Sequence, residues 1–339
     1  PVLDTERERQ VLAGKAAHRK DAAQKTEITD LFEAIMAISR RQQRRLIARS
    51  GQGPKVCVPK RPRMPVENPR VIYQGEPGAY GEEATVLFFG ETIHRDRRAD
   101  FEGVCQAIVR GEADYGVLPI ENSSTGAITV VYDLLANYGC FIAGEQLVRV
   151  SHCLMAPQGA SLAGITDIYS HEQGFFQSKI FLGGHSDWRL HPVLNTAAAA
   201  KYVSQQNDRT KAAIGSKRAA SLYGLSILQE KINFSDRNDT RFVIVSPQPE
   251  RRPGSNKISA VFTVTHETGS LHRMLSIFAA NGLNIMKLES RPIPGKNWEY
   301  LFFVDFAGTL AGEGMEEVLA ELSQCAGNLQ ILGDYCGNV

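Results

Sequence analysis

The sequence predicts an α/β domain, followed by a smaller unit of alternating strands and helices and preceded by a purely helical segment. Three observations carry this reading. From Arg70 to Ser246 short apolar runs alternate with amphipathic stretches, the rhythm of strands joined by helical crossovers in a mostly parallel sheet. From Lys257 onward the apolar spacing switches repeatedly between that of a strand and that of a helix. Before Ser50 only helix spacing is found. A chain of 339 residues also exceeds what one core usually serves.

In the helical segment, residues 1–50, Ile28, Leu31, Phe32, Ile35 and Ile38 recur as one face. Two helices fit between Asp4 and Arg49, broken near Arg19 to Lys25. Residues 51–69 form a linker, because Gly51, Gly53, Pro54, Pro59, Pro62, Pro65 and Pro69 interrupt helices and remove backbone donors. The α/β domain takes residues 70–247. Its strands are Arg70 to Gln74, Tyr115 to Ile120, Phe141 to Glu145, Asp167 to Ser170 and Arg241 to Ser246, with His152 to Met155 as a further candidate. Its helices are Phe101 to Arg110, Val131 to Asn137, Phe175 to Leu182 and Thr196 to Gln205.

A second linker, 248–256, carries Pro249, Pro253 and Gly254. In the last unit, 257–339, Ile258, Ala260, Phe262 and Val264 alternate as a strand face, and Leu271, Met274, Leu275 and Phe278 follow as a helix stopped at Asn281-Gly282. Asn284 to Pro292, a turn at Pro294 to Asn297, Trp298 to Phe306, a helix with Met315, Val318, Leu319 and Leu322, and a strand near Gln330 to Leu332 complete the order βαββαβ, a ferredoxin-like unit.

Composition narrows the function classes. No apolar run approaches the ~20 residues of a membrane-crossing helix, and the charged stretch Pro1 to Arg9 lacks the apolar core of a secretion signal. A cytosolic location is expected, with no membrane partner. The missing initial Met suggests a truncated chain. Six scattered cysteines and eight histidines show no metal-ligand spacing, so no metal is expected. A net charge of +1 gives no general pull toward nucleic acid.

Strand ends in such sheets bind ligands, and five polar turns lie there or at helix starts: Gly75 to Tyr80, Pro119 to Ala127, Ser170 to Gln173, Asn195-Thr196 and Asn238 to Phe242. Hydroxyls, amides and free N–H groups at helix starts suit a carboxylate or phosphate. Each turn by itself is equally explained as a helix cap. Gly75 to Tyr80 matches neither a dinucleotide fingerprint nor a phosphate loop.

Taken together, Pro119-Ile120-Glu121-Asn122-Ser123-Ser124-Thr125-Gly126-Ala127-Ile128 and Thr240-Arg241-Phe242 resemble the prephenate dehydratase family. The resemblance spans roughly Pro69 to Val339 and includes Gly75 to Gly78, Ala113 to Val117, Val131 to Leu135, Ser170-His171 with Gln177, Ile214 to Ser216 and Leu222 to Gly224. Gly81 and Glu172 depart from the family's usual serine and proline. The resemblance implies a two-lobed, periplasmic-binding-protein-like domain that takes water and carbon dioxide from prephenate to give phenylpyruvate, with no cofactor. It places Thr240 as the catalytic donor to the leaving hydroxyl, and Asn122, Ser123, Ser170, Gln177, Thr196, Arg241 and Phe242 at the substrate. Arg241 has a second reading, pairing with a structural carboxylate such as Glu121, and His171 is read as a strand-end residue held by a backbone bond.

The βαββαβ unit resembles an ACT regulatory domain at Thr268-Gly269-Ser270-Leu271 and Glu289-Ser290-Arg291-Pro292. That resemblance implies an allosteric phenylalanine site built from Gly269, Ser270, Leu271, Asn281, Glu289, Ser290 and Arg291, in a homodimer or homotetramer; a unit that only dimerises is the other reading. The front helices resemble the later part of an all-helical chorismate mutase, with Asp4, Arg7, Glu8, Ser39 and Gln43 as a partial site and mutase activity residual or lost. Two alternatives to the main reading are arogenate dehydratase and an amino-acid-responsive regulator.

Overall fold

The computed structural model describes residues 5–17, 21–49, 62–235, 238–250, 252–293, 295–296 and 299–337. Asp4, most of the first linker, and Pro294, Asn297 and Trp298 of the expected turn region lie outside the described residues. The chain divides into two compact units, Pro59–Ser259 with Leu332–Val339, and Pro1–Val58 with Ala260–Ile331.

The second unit begins with α1 (Thr5–Ala16) and α2 (Ala22–Arg49). The larger unit opens with β1 (Arg70–Gln74), α3 (Tyr80–Phe89), β2 (His94–Arg98), α4 (Phe101–Val109), β3 (Tyr115–Asn122), the short β4 (Gly126–Ala127), α5 (Thr129–Tyr138) and β5 (Phe141–Arg149). The chain then crosses to a second lobe of β6 (Cys153–Ala156), β7 (Asp167–Ser170), α6 (Glu172–Gln177), α7 (Lys179–Gly183), β8 (Arg189–Pro192), α8 (Thr196–Gln206), β9 (Lys211–Gly215), α9 (Lys217–Leu222) and β10 (Ser226–Gln229). It returns as β11 (Asp239–Ser246), which inserts into the first sheet. Two sheets result, in the orders β2-β1-β3-β11-β5 and β10-β6-β9-β7-β8. At the crossing the Val150 amide donates to the Asn238 carbonyl (2.7 Å), tying the outgoing strand to the returning one.

The sheets are mixed where a mostly parallel one was expected. β1 runs parallel to β2 and β3, but β11 comes back from the other lobe antiparallel to both β3 and β5. β6 likewise lies antiparallel to β9 and β10. Apolar runs carry no direction, so the reversal was hidden in them. The expected helix Phe175 to Leu182 is two short helices meeting at Ser178, whose amide bonds back to Gly174 and Phe175.

Each lobe buries its own core. In the first, Val71, Tyr115, Val117, Ala143, Phe242 and Ile244 pack together, so β11 supplies core and site from alternate stretches of one strand. In the second, the alanines of α8 (Ala199, Ala200) let the helix lie close on Ala213 and Met155.

The C-terminal module comprises β12 (Lys257–Thr263), α10 (Ser270–Ala280), β13 (Ile285–Pro292), β14 (Tyr300–Ala307), α11 (Met315–Cys325) and β15 (Asn328–Tyr335), with strand order β13-β14-β12-β15.

Candidate active site

Between the two lobes lies a cavity of about 260 Å³, and its chemistry starts with strand register. β3 and β11 pair antiparallel with Thr240 opposite Asn122, which brings together two segments over a hundred residues apart. Asn122 ends β3 in a turn of the kind its side chain favours. Its Oδ1 accepts from the backbone N–H groups of Ser124 (2.9 Å) and Thr125 (3.1 Å) and from the hydroxyls of Ser124 (2.6 Å) and Thr125 (3.2 Å). Backbone amides only donate, so this pins the oxygen and leaves Nδ2 as the other end of the amide. Nδ2 then donates to Asn238 Oδ1 (2.8 Å) and to Thr240 Oγ1 (2.9 Å). The Thr240 oxygen thus accepts from Asn122, its own O–H stays available as a donor, and the residue lines the cavity.

Thr240, Asn122 and Asn238 are 7%, 6% and 2% exposed, so these bonds are made in a poorly solvated setting where they count for more. Gln177 approaches from the other lobe, donating to Ser124 Oγ (3.2 Å) and Asn238 Oδ1 (3.5 Å). Its Oε1 faces His152 Nε2 at 2.8 Å, and Tyr80 Oη lies 3.1 Å from His152 Nδ1. Burial holds the His152 imidazole down to about 4, so it is neutral near pH 7, and burial pushes the Tyr80 phenol well up.

Among the described residues lining the cavity there is no Lys or Arg. Helix starts take their place. Ala79, Tyr80 and Gly81 present the first turn of α3, which no side chain caps, and Asn195 and Thr196 present the start of α8. Their N–H groups and dipoles favour an anion. Phe101, Val117, Pro119, Ile128, Val150 and Phe242 give the cavity an apolar side.

Of the residues expected at the substrate, Asn122, Gln177, Thr196, Phe242 and Thr240 line this cavity. Three do not. Ser123 Oγ accepts from the Asp239 amide (2.9 Å), stitching the turn to β11. Ser170, fully buried, donates to the Ile214 carbonyl (3.0 Å) beneath α6. Arg241 occupies the opposite face of β11 from Thr240, because side chains alternate along a strand, and it pairs with Glu145 (3.2 Å) and Glu121 (3.4 Å). That is the structural pairing with Glu121 which the sequence also allowed. Tyr80 and His152 line the cavity, and Asn238 and Ser124 bond to Asn122 behind it, without an assigned role; for Asn238, its place two residues before Thr240 was a usable signal.

In the C-terminal module, Ser270 and Leu271 line a cavity with Thr268, Tyr300 and Phe302, and Gly269, at φ 80°, caps α10 beside it. Asn281 lies at the other end of α10, its side chain bonded to the Ile277 carbonyl. Glu289, Ser290 and Arg291 lie on the edge strand β13. One chain therefore does not gather the whole expected set. In the front helices Arg7 and Glu8 lie on α1 and Ser39 and Gln43 on α2; Glu8 pairs with Arg40, and Ser39 accepts from Gln43 (3.4 Å).

Two α/β lobes joined by two crossing segments, with a polar cleft at their hinge, define a periplasmic-binding-protein-like catalytic domain. Residues 71–250 match the family model for prephenate dehydratase, and the chain belongs to that family. It is 32% identical over 348 residues, 99% of this chain and 86% of the relative, to the bifunctional chorismate mutase/prephenate dehydratase of Escherichia coli (strain K12). It is 38% identical over 286 residues, 78% of this chain and 66% of the relative, to arogenate dehydratase 1 of Petunia hybrida. The solved prephenate dehydratase of Arthrobacter aurescens in complex with L-Phe superposes with a TM-score of 0.72 at 28% identity, covering 79% of this chain and 90% of that one.

Proposed function

We propose that the cleft binds prephenate and converts it to phenylpyruvate, with Thr240 as the donor to the departing hydroxyl. The observation that carries this is the hydrogen bond donated by the Asn122 side-chain amide to Thr240 Oγ1, which leaves the threonine proton for the cleft. Prephenate carries two carboxylates and a ring hydroxyl. Heterolysis of the ring carboxylate releases carbon dioxide and leaves its bonding pair in the ring, while the C–O bond to the hydroxyl breaks and hydroxide departs. Aromatisation drives the step, so the protein has only to orient the leaving groups and stabilise the departing oxygen. A threonine is a weak acid, and its role is polarising: the donated Asn122 bond makes the Thr240 O–H a better donor.

The uncapped start of α3 and the start of α8 suit the two carboxylates, and the apolar wall suits the ring. Asn122, Gln177 and Thr196 orient the pyruvyl group. Ser123, Ser170 and Arg241 act one layer out, holding the turn, α6 and β11. The βαββαβ module serves as the phenylalanine sensor, with Gly269, Ser270 and Leu271 at the effector and Asn281 and Glu289 to Arg291 completing the site in a homodimer or homotetramer. The enzyme works in the cytosol, where free cysteines such as buried Cys105, Cys140 and Cys153 persist. The likeness to an arogenate dehydratase favours a second reading, in which the aminated analogue is the substrate.

One assay separates these. Purified protein incubated with prephenate forms phenylpyruvate without an added cofactor, forms little phenylalanine from arogenate, and slows when phenylalanine is added. Turnover of arogenate alone would replace the substrate, and turnover of neither would overturn the reading.

A further inference from the structure

The hydrogen bonds behind Thr240 form a chain with one direction, and its far end is a residue with no assigned role. The backbone amides of Ser124 and Thr125 fix Asn122 Oδ1, so Asn122 Nδ2 faces Asn238. Asn238 must then present Oδ1, since its amide group would meet a donor with a donor. Gln177 approaches that same oxygen and a Ser124 oxygen whose proton already goes to Asn122, so its Nε2 must face them. Its Oε1 is left toward His152, in a place where an acceptor without a partner is costly.

We propose that His152 is a positioning residue whose Nε2–H holds the Gln177 amide in this orientation and so maintains the chain that ends on the Thr240 hydroxyl. The imidazole is well placed for it. It sits on the crossing between β5 and β6 and is 2% exposed. Its backbone is tied on both sides, its amide donating to Asn233 Oδ1 (2.7 Å) and its carbonyl accepting from the Ile232 amide (3.0 Å). Tyr80, from α3 of the first lobe, meets Nδ1, and Gln177, from α6 of the second, meets Nε2. With Nε2 protonated and the ring neutral, Nδ1 is an acceptor, and the single Tyr80 proton is shared between it and the Ser151 carbonyl, each 3.1 Å from the phenol oxygen. The order is then His152, Gln177, Ser124, Asn122, Thr240, each donating to the next. His152 links the two lobes at the point where the chain enters the site.

The inference rests on prephenate turnover for its kinetic arm and on the fold alone for its spectroscopic arm. His152→Leu lowers kcat for prephenate by about 10- to 100-fold, the cost of an unsatisfied buried acceptor, with KM little changed. His152→Gln, whose Nε2 can reach where the imidazole Nε2–H stood, recovers most of the loss. Wild-type kcat in His152→Leu, or a glutamine variant no better than leucine, overturns the proposal. The ¹⁵N spectrum of the wild-type protein at neutral pH, with the His152 signals assigned by their loss in His152→Gln, shows a protonated Nε2 and an unprotonated Nδ1; the reverse tautomer overturns it even if the leucine variant does not fold. Should wild-type protein leave prephenate untouched, the substrate reading fails while the tautomer still decides the direction of the chain.

Discussion

At the scale of single residues, the site depends on amides whose orientation is set by backbone N–H groups. Asn122→Asp tests this closely, because the carboxylate still accepts from Ser124 and Thr125 and the turn survives. The oxygen facing Thr240 can no longer donate, so the threonine proton turns toward it and away from the cleft. A charge also appears in a cleft meant for an anion. We expect kcat to fall by about 100-fold or more with the far-ultraviolet spectrum unchanged; near-normal kcat would contradict the orientation. His152 carries a stability consequence as well. Its folded value of about 4 lies below the ordinary imidazole value of 6.5, so between these the unfolded chain binds the extra proton. Stability from the neutral buried ring is fully present above about pH 6.5 and is lost as the pH falls through 4, a difference of about 3 kcal/mol. Urea midpoints measured from pH 7 to pH 4.5 therefore fall less steeply in His152→Gln than in the wild type; parallel slopes would count against the buried neutral ring.

At the scale of elements, β11 carries the argument on both faces. One face bears Thr240 and Phe242 toward the cleft, and the other bears Arg241 into a buried ion cluster. Glu145, without side-chain exposure, receives Lys257 through both oxygens (2.9 Å each) and Arg241 at 3.2 Å. Glu145→Leu strands the Lys257 ammonium and leaves Arg241 without its buried carboxylate, and should destabilise the protein by about 3 kcal/mol or more, read as a lowered urea midpoint, while the KM of surviving protein stays close to normal. Arg241 shows where sequence reading reaches its limit. The motif Thr240-Arg241-Phe242 was visible, and so was the turn at Asn122, but which neighbour faced the substrate depends on strand phase. That phase is fixed by the pairing of Thr240 with Asn122, a contact between distant segments. Ser170 was misleading for a similar reason: it ends a strand beside the cleft, yet its hydroxyl is spent on the β9 carbonyl. Strands with strong apolar runs, such as β1, β7 and β12, were legible almost to the residue. His94–Arg98 was not, being charged throughout and drawn into the sheet only as a parallel edge to β1.

At the scale of the whole molecule, the proposed catalytic and sensing roles fall on separate folds. If the C-terminal module senses phenylalanine, the amino acid at about 100 times its dissociation constant adds about 2.7 kcal/mol of stability, visible as a raised melting temperature, and lowers prephenate turnover in the same concentration range. Ser290→Ala, at an exposed position of β13, weakens both effects together without changing turnover in the absence of phenylalanine. A melting temperature indifferent to phenylalanine would remove the sensor role and leave the dehydratase intact. The central claim concerns the Thr240 hydroxyl, and the most direct measurement of it is phenylpyruvate formation from prephenate by wild type, Thr240→Ser and Thr240→Val. Serine keeps the donor and should retain much of the activity, while valine keeps the shape without the hydroxyl and should abolish it. Full activity in Thr240→Val would contradict the account.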